Sequence, residues 1–139
     1  MGPSTPSFDD IRDDLAFLDD WDERYRYLID LGRHLEPLPA EAHNDANKVR
    51  GCASQVWLET DIEEGRLALR GDSDAAIVKG LVALVISLFA GLPPREAAVL
   101  DAPARLREID LDAHITPQRS NGVAGMIRRI KEEAAARAA

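Results

Sequence analysis

Cysteine is almost absent from this chain: Cys52 is the only one among 139 residues. One thiol closes no disulfide within the chain and builds no multi-cysteine zinc or iron–sulfur site. A surplus of basic residues is missing too. The chain carries 25 acidic and 17 basic side chains, a net charge of −8. That balance excludes a general nucleic-acid binder, whose attraction to phosphate needs an excess of Lys and Arg. Long hydrophobic runs are lacking as well. The most apolar stretch, 75–92, is interrupted by Lys79 and Ser87. As a helix it measures about 27 Å, short for a membrane span, so it reads as a buried core helix. The first residues, Met1–Pro6, contain neither the basic nor the apolar region of a signal peptide. The expectation is a cytoplasmic protein with a reduced thiol and neither membrane nor nucleic acid as a partner.

What is present is ordinary for a folded chain: 45% apolar and 30% charged residues, enough to build one core. Residues 1–139 are expected to form a single domain, with 1–6 flexible. Charge is unevenly spread. Residues 1–23 hold eight carboxylates against Arg12 alone, whereas the remaining 116 residues carry 17 acids and 16 bases. Five of the seven aromatics lie between Phe8 and Tyr27. Acidic residues interleaved with aromatics read as the solvated face of amphipathic helices, and a docking surface is the other reading.

Helix signals come first along the chain. Ser7 with Asp10 three residues on starts a helix bearing Ile11, Leu15 and Leu18. A second helix begins near Asp20, presents Trp21, Tyr25, Leu28 and Leu35 on one face, and stops before Pro37 and Pro39. Residues 40–52 show no sustained period and read as a loop. Residues 55–60 and 66–70 alternate as two strands around the turn Glu63-Glu64-Gly65. Gly71-Asp72-Ser73-Asp74 resembles a Gly-containing phosphate loop. Its carboxylates would repel phosphate, however, so it reads as a turn and N-cap for the apolar helix that ends at Gly91. Short helices follow around 95–99 and 104–108. Thr116-Pro117 and Ser120-Asn121 then offer caps for a last helix with Val123, Met126, Ile127 and Ile130 buried, its Arg128, Arg129 and Lys131 favoured by the helix dipole. Helices around a small antiparallel sheet make an α+β domain.

The candidate chemistry centres on Cys52. A lone cysteine commonly serves as a small buried hydrophobe. Here, however, it lies in a loop, follows Gly51, which permits a sharp turn or a close approach, and has Lys48 and Arg50 nearby to favour the thiolate. Both readings stay open on these residues. His34, His43 and His114 match no Cys–His catalytic signature and no metal-ligand spacing, so each reads as a surface or core histidine. Arg119 reads either as a solvated arginine or as a cation held near the reactive loop. Thiol–persulfide exchange asks least of the chain: an accessible thiolate and a partner that brings the second sulfur.

Four blocks in order, Trp21–Gly32, Asn47–Trp57, Gly71–Leu81 and Thr116–Gly122, resemble the SufE-type sulfur acceptors of iron–sulfur cluster assembly, including the CsdE-like proteins. The resemblance implies the compact α+β fold shared with the IscU scaffold, in its minimal bacterial form. It also implies that Cys52 takes persulfide sulfur from a pyridoxal-phosphate-dependent cysteine desulfurase (SufS- or CsdA-like) and stimulates that enzyme. Sulfur then passes to a SufBCD-like scaffold complex. By the same resemblance the acceptor holds no cofactor and no metal, is not a stand-alone enzyme, and keeps its thiol in a cavity at rest. Lys48, Arg50, Gly51, Ser54 and Arg119 are the supporting residues expected around Cys52. The rival readings are a non-catalytic scaffold-like or metal-binding interaction module, and a small thiol hydrolase or peroxidase.

Overall fold

A computed structural model describes residues 6–50 and 54–138. Helix α1 (Phe8–Ala16) opens on Ser7, whose hydroxyl accepts a hydrogen bond from the Asp10 amide at 3.2 Å. Helix α2 (Trp21–Arg33) opens on Asp20, whose carboxylate accepts from the Glu23 amide at 2.8 Å. Both caps satisfy amides that a helix N-terminus leaves without partners. Phe8, Ile11 and Leu15 of α1 and Leu28 and Leu31 of α2 turn into the core. Leu35 lies beyond the end of α2 yet still packs against that core.

Strands β1 (Val56–Glu63) and β2 (Arg66–Ser73) pair antiparallel from Val56↔Ser73 to Glu63↔Arg66. They are longer than the alternation predicts. The turn narrows to Glu64-Gly65, with φ of 53° and 78°, the mirror-image geometry whose twist matches that of the strands it joins. Val56 and Leu58 of β1 and Leu67 of β2 point inward.

Helix α3 (Ala76–Phe89) forms the centre of the molecule. From Leu81 to Ile86 every residue is buried, which accounts for the most apolar run in the sequence. Among the described residues no helix is long and apolar enough to cross a membrane. Helix α2 lies against α3 so closely that a methyl group on Gly80 would sit 2.2 Å from the Leu28 carbonyl oxygen. On another side β2 packs equally tightly, and a Cβ at Gly71 would meet Val82 at 2.7 Å. Short helices α4 (Pro94–Val99) and α5 (Ala102–Arg107) lead to α6 (Pro117–Ala138). The Thr116 hydroxyl accepts from the Arg119 amide at 3.2 Å, and Val123, Met126, Ile127 and Ile130 are buried as their spacing predicts. The result is an α+β domain of helices packed on a small antiparallel sheet.

One expectation is corrected. Gly71-Asp72-Ser73 is not a turn but the end of β2, and α3 begins after Ala75 with no side chain capping it. Long-range pairing with Val56–Leu58 decides this, against a local composition that favours turns. Arg128, Arg129 and Lys131 lie in the C-terminal half of α6, as expected. Lys131 donates to the Leu100 carbonyl at 2.9 Å, and Arg129 reaches the carbonyls of Ala46 and Lys48.

Candidate functional site

Gly51 and Cys52 lie outside the described residues, and the structure describes the frame on which they are strung. Before them, residues 47–49 run antiparallel along the edge of β1 that β2 leaves free. The Val49 amide donates to the Val56 carbonyl and the Leu58 amide to the Asn47 carbonyl, each at 2.8 Å, with Lys48 opposite Trp57. The connection 50–55 therefore joins two paired segments, and each of its roots is fastened.

The first root is held from within its own segment and from α6. Asn47 donates through its side chain to the Ala42 carbonyl at 2.9 Å, and its amide donates to the Asn44 side-chain oxygen at 2.9 Å. From α6, the Arg129 guanidinium donates to the carbonyls of Ala46 at 2.6 Å and Lys48 at 3.2 Å. Where the Arg50 carbonyl passes α6 the helix carries Gly125. A Cβ there would lie only 3.1 Å from that oxygen. The second root is Gln55. Its amide donates to the Asp74 carboxylate at 3.0 Å, and its carbonyl accepts from the Ser73 hydroxyl at 2.7 Å and from the Asp74 amide at 3.3 Å. Asp72 and Asp74, read from sequence as capping residues, are thus committed to the strand end and the loop root.

The expected supporting residues fall on two flanks of this connection. Ser54 and Arg119 are brought together: with Thr116 they line the polar side of a cavity of about 180 Å³, whose apolar side is Val78, Leu81 and Met126. Lys48 and Arg50 do not join them. Both are exposed, and with Arg128 and Arg129 they border a separate groove of about 480 Å³, where Asp45 and Glu132 supply the opposing charge. A chain that is acidic overall therefore shows a locally basic face beside Cys52's loop. Among the described residues no three His, Cys, Asp or Glu side chains cluster as a metal ion would require.

Sequence reasoning missed two residues of this frame, Arg129 and His43. The His43 ring packs edge-on to Trp57 and lies 2.7 Å from the Asp72 carboxylate. That carboxylate holds the imidazole above its ordinary pKa. Asp72 in turn stays below the usual carboxylate range: partial burial opposes this, but hydrogen bonds from His43 and the Ser73 amide and the nearby Lys79 outweigh it. No local motif announces the pair, which stands 29 positions apart. His114 stacks on Trp21 at 4.1 Å and accepts through its carbonyl from the Tyr25 hydroxyl.

Comparison with known proteins agrees with this frame. The SufE family model, described as an Fe–S metabolism associated domain, matches residues 9–134. An uncharacterized SufE-like protein of Rhizobium etli is 50% identical over 137 residues, covering 96% of this chain and 93% of that protein. One from Rhizobium meliloti is 49% identical over 135 residues, covering 94% and 96%. In three dimensions the chain is similar to the solution structure of a hypothetical protein from Thermus thermophilus, with a TM-score of 0.75, 20% identity and 96% of each chain covered. That last likeness shows the fold alone. The family match spans α1 to α6 and takes in both roots of the 50–55 connection, so the chain belongs to the SufE family and its role lies in iron–sulfur metabolism.

Proposed function

We propose that the chain is a sulfur acceptor. It takes persulfide sulfur onto Cys52 from a pyridoxal-phosphate-dependent cysteine desulfurase, stimulates that enzyme, and passes the sulfur to an iron–sulfur scaffold complex of the SufBCD type. The whole chain, 1–139, works as one domain in the cytoplasm, where thiols stay reduced. The observation that carries this reading is the frame of the 50–55 connection. Both roots are hydrogen-bonded, a small cavity adjoins Ser54 and a group of cations adjoins Arg50, and the chain's only cysteine lies between these two positions in sequence.

In this mechanism the Cys52 thiolate attacks the outer sulfur of the partner's persulfide. A new S–S bond forms to Cys52, the partner's own S–S bond breaks, and its cysteine leaves as a thiolate. No external oxidant or reductant is needed, because one disulfide-type bond replaces another. Lys48 and Arg50 favour the thiolate before attack and the persulfide anion after it. Arg119 and Ser54, facing the cavity, receive that anion and shield it from the oxidation that would advance it to sulfinic acid. Gly51 allows the chain to turn at the thiol.

The test is an intact-mass measurement after mixing the protein with a cysteine desulfurase and cysteine. A gain of about 32 Da, one sulfur, is expected on the wild type and none on Cys52→Ser. Failure to gain mass while the desulfurase turns over would refute the reading.

A further inference from the structure

Both ring nitrogens of His43 face acceptors. Nδ1 lies 3.0 Å from the Pro39 carbonyl oxygen and Nε2 lies 2.7 Å from the Asp72 carboxylate. Neither acceptor has a proton to give while Asp72 is ionised, so both nitrogens must donate, and an imidazole with two N–H groups is the cation. Its surroundings fit that state. Among the described residues, Asp72 of β2 is the charged group bonded to the ring. Lys79 of α3 binds the other carboxylate oxygen at 3.3 Å, β1 contributes the uncharged edge of Trp57, and the Pro39 and Ala40 carbonyls face the ring from its own segment.

The location gives this contact its consequence. His43 ends the short 3-10 turn Ala40–Ala42, and the Ala42 carbonyl holds the Asn47 side chain. Asn47 begins the segment paired with β1 that leads into the first root of the 50–55 connection. The same segment is tied by Arg129, which is charged at every working pH. One root thus hangs from two cations, of which only His43 can titrate near neutrality.

We propose that His43 is a positioning residue for the thiol loop: its imidazolium bolts residues 39–49 to β2, and loss of the proton releases one of the two bonds and loosens the loop's first root. That the loosened root carries a working thiol rests on the reading above; the bolt itself does not. Because the cation is the bonded form, folding raises the pKa of His43. The tie is complete below about pH 6.5 and is lost as pH rises through the higher folded value.

Hydrogen exchange on the full chain tests this, run between about pH 6 and about pH 9 with rates corrected for intrinsic pH dependence. The informative amides are Asn47, Lys48 and Val49. In the wild type their protection falls about tenfold, the order expected for one hydrogen bond to a charged group, in step with the His43 titration followed by NMR. Amides in the middle of α3 keep theirs. His43→Arg, a cation throughout, gives high and flat protection, whereas His43→Gln gives low and flat protection. Arg129→Gln lowers protection at every pH and leaves the pH step in place. Should His43→Gln fail to fold, the wild-type curve and His43→Arg decide alone. Protection that stays flat through the His43 titration, or a His43 that is neutral at about pH 6, overturns the proposal. A flat curve beside a Cys52-dependent mass gain sinks the bolt and spares sulfur transfer; a clear step without any mass gain does the reverse.

Discussion

At Gly80 an added methyl would lie 2.2 Å from the backbone oxygen of Leu28, and no side-chain rotation relieves a clash with backbone. Gly80→Ala must force α2 away from α3 and is expected to cost about 3 kcal/mol, seen as a lower Tm by calorimetry. Gly125 is tight in a different sense. The methyl of Gly125→Ala would stand 3.1 Å from the Arg50 carbonyl oxygen, at the entry to the 50–55 connection. Its expected signature is a small change in Tm with a several-fold slower uptake of sulfur, read by timed intact-mass measurement; a large drop in Tm with unchanged uptake would contradict that division. The two glycines look alike in sequence. Which one serves the fold and which the loop depends on what crosses each helix, and that information lies 52 and 75 residues away in the chain. Cys52, Lys48 and Arg50, by contrast, are proposed from local composition, because a thiol flanked by cations needs no distant partner to be noticed.

Among the elements, the ends of β2 and of the 50–55 connection meet at Ser73 and Asp74. Removing the carboxylate in Asp74→Ala deletes the acceptor of the Gln55 amide, a local loss of about 1 kcal/mol. Trypsin is then expected to cut after the exposed Arg50 several-fold faster while thermal stability barely moves; an unchanged cleavage rate would mean that this root is held by other bonds. Helix boundaries near Ser7, Asp20 and Thr116 were legible because a cap is a local hydrogen bond between near neighbours in sequence. The extension of β2 through Gly71-Asp72-Ser73 was not, since every residue there favours turns and only pairing with Val56–Leu58 overrules them. The same holds for residues 47–49. One apolar residue, Val49, gives no alternation to read, and the segment becomes extended by pairing with β1.

Over the whole molecule, a small ion-pair network ties α1 to α5 and its C-terminal end. Arg12 binds Glu108 at 2.8 Å, Arg105 binds Asp9 and also Glu108 at 2.9 Å, and the Arg105 guanidinium covers the ring of the buried Phe8 at 4.7 Å. These contacts hold the carboxyls of Asp9, chiefly through Arg105, and of Glu108, chiefly through Arg12, below their ordinary pKa values. Their contribution to stability is present above about pH 4.5 and is lost as pH falls through the lowered folded values. Urea midpoints measured against pH should therefore show an acid limb that is shallower in the Arg12→Ala, Arg105→Ala double variant. An identical limb in both proteins would place the acid sensitivity elsewhere. The acidic stretch is the solvated face its pattern predicts: its eight carboxylates are exposed while Phe8, Ile11 and Leu15 turn into the core, and Asp9 is the one tied to Arg105.

The pinned roots also set a length. Val49 and Gln55 are fastened to the sheet and to β2, and Cys52 stands three residues from each. Three peptide units stretch to no more than about 10 Å. The covalent tether therefore keeps the Cys52 backbone within that reach of both roots. In the sulfur transfer proposed above, the donor must bring its persulfide within that reach, which makes the shape of the partner the determinant of which donors are served.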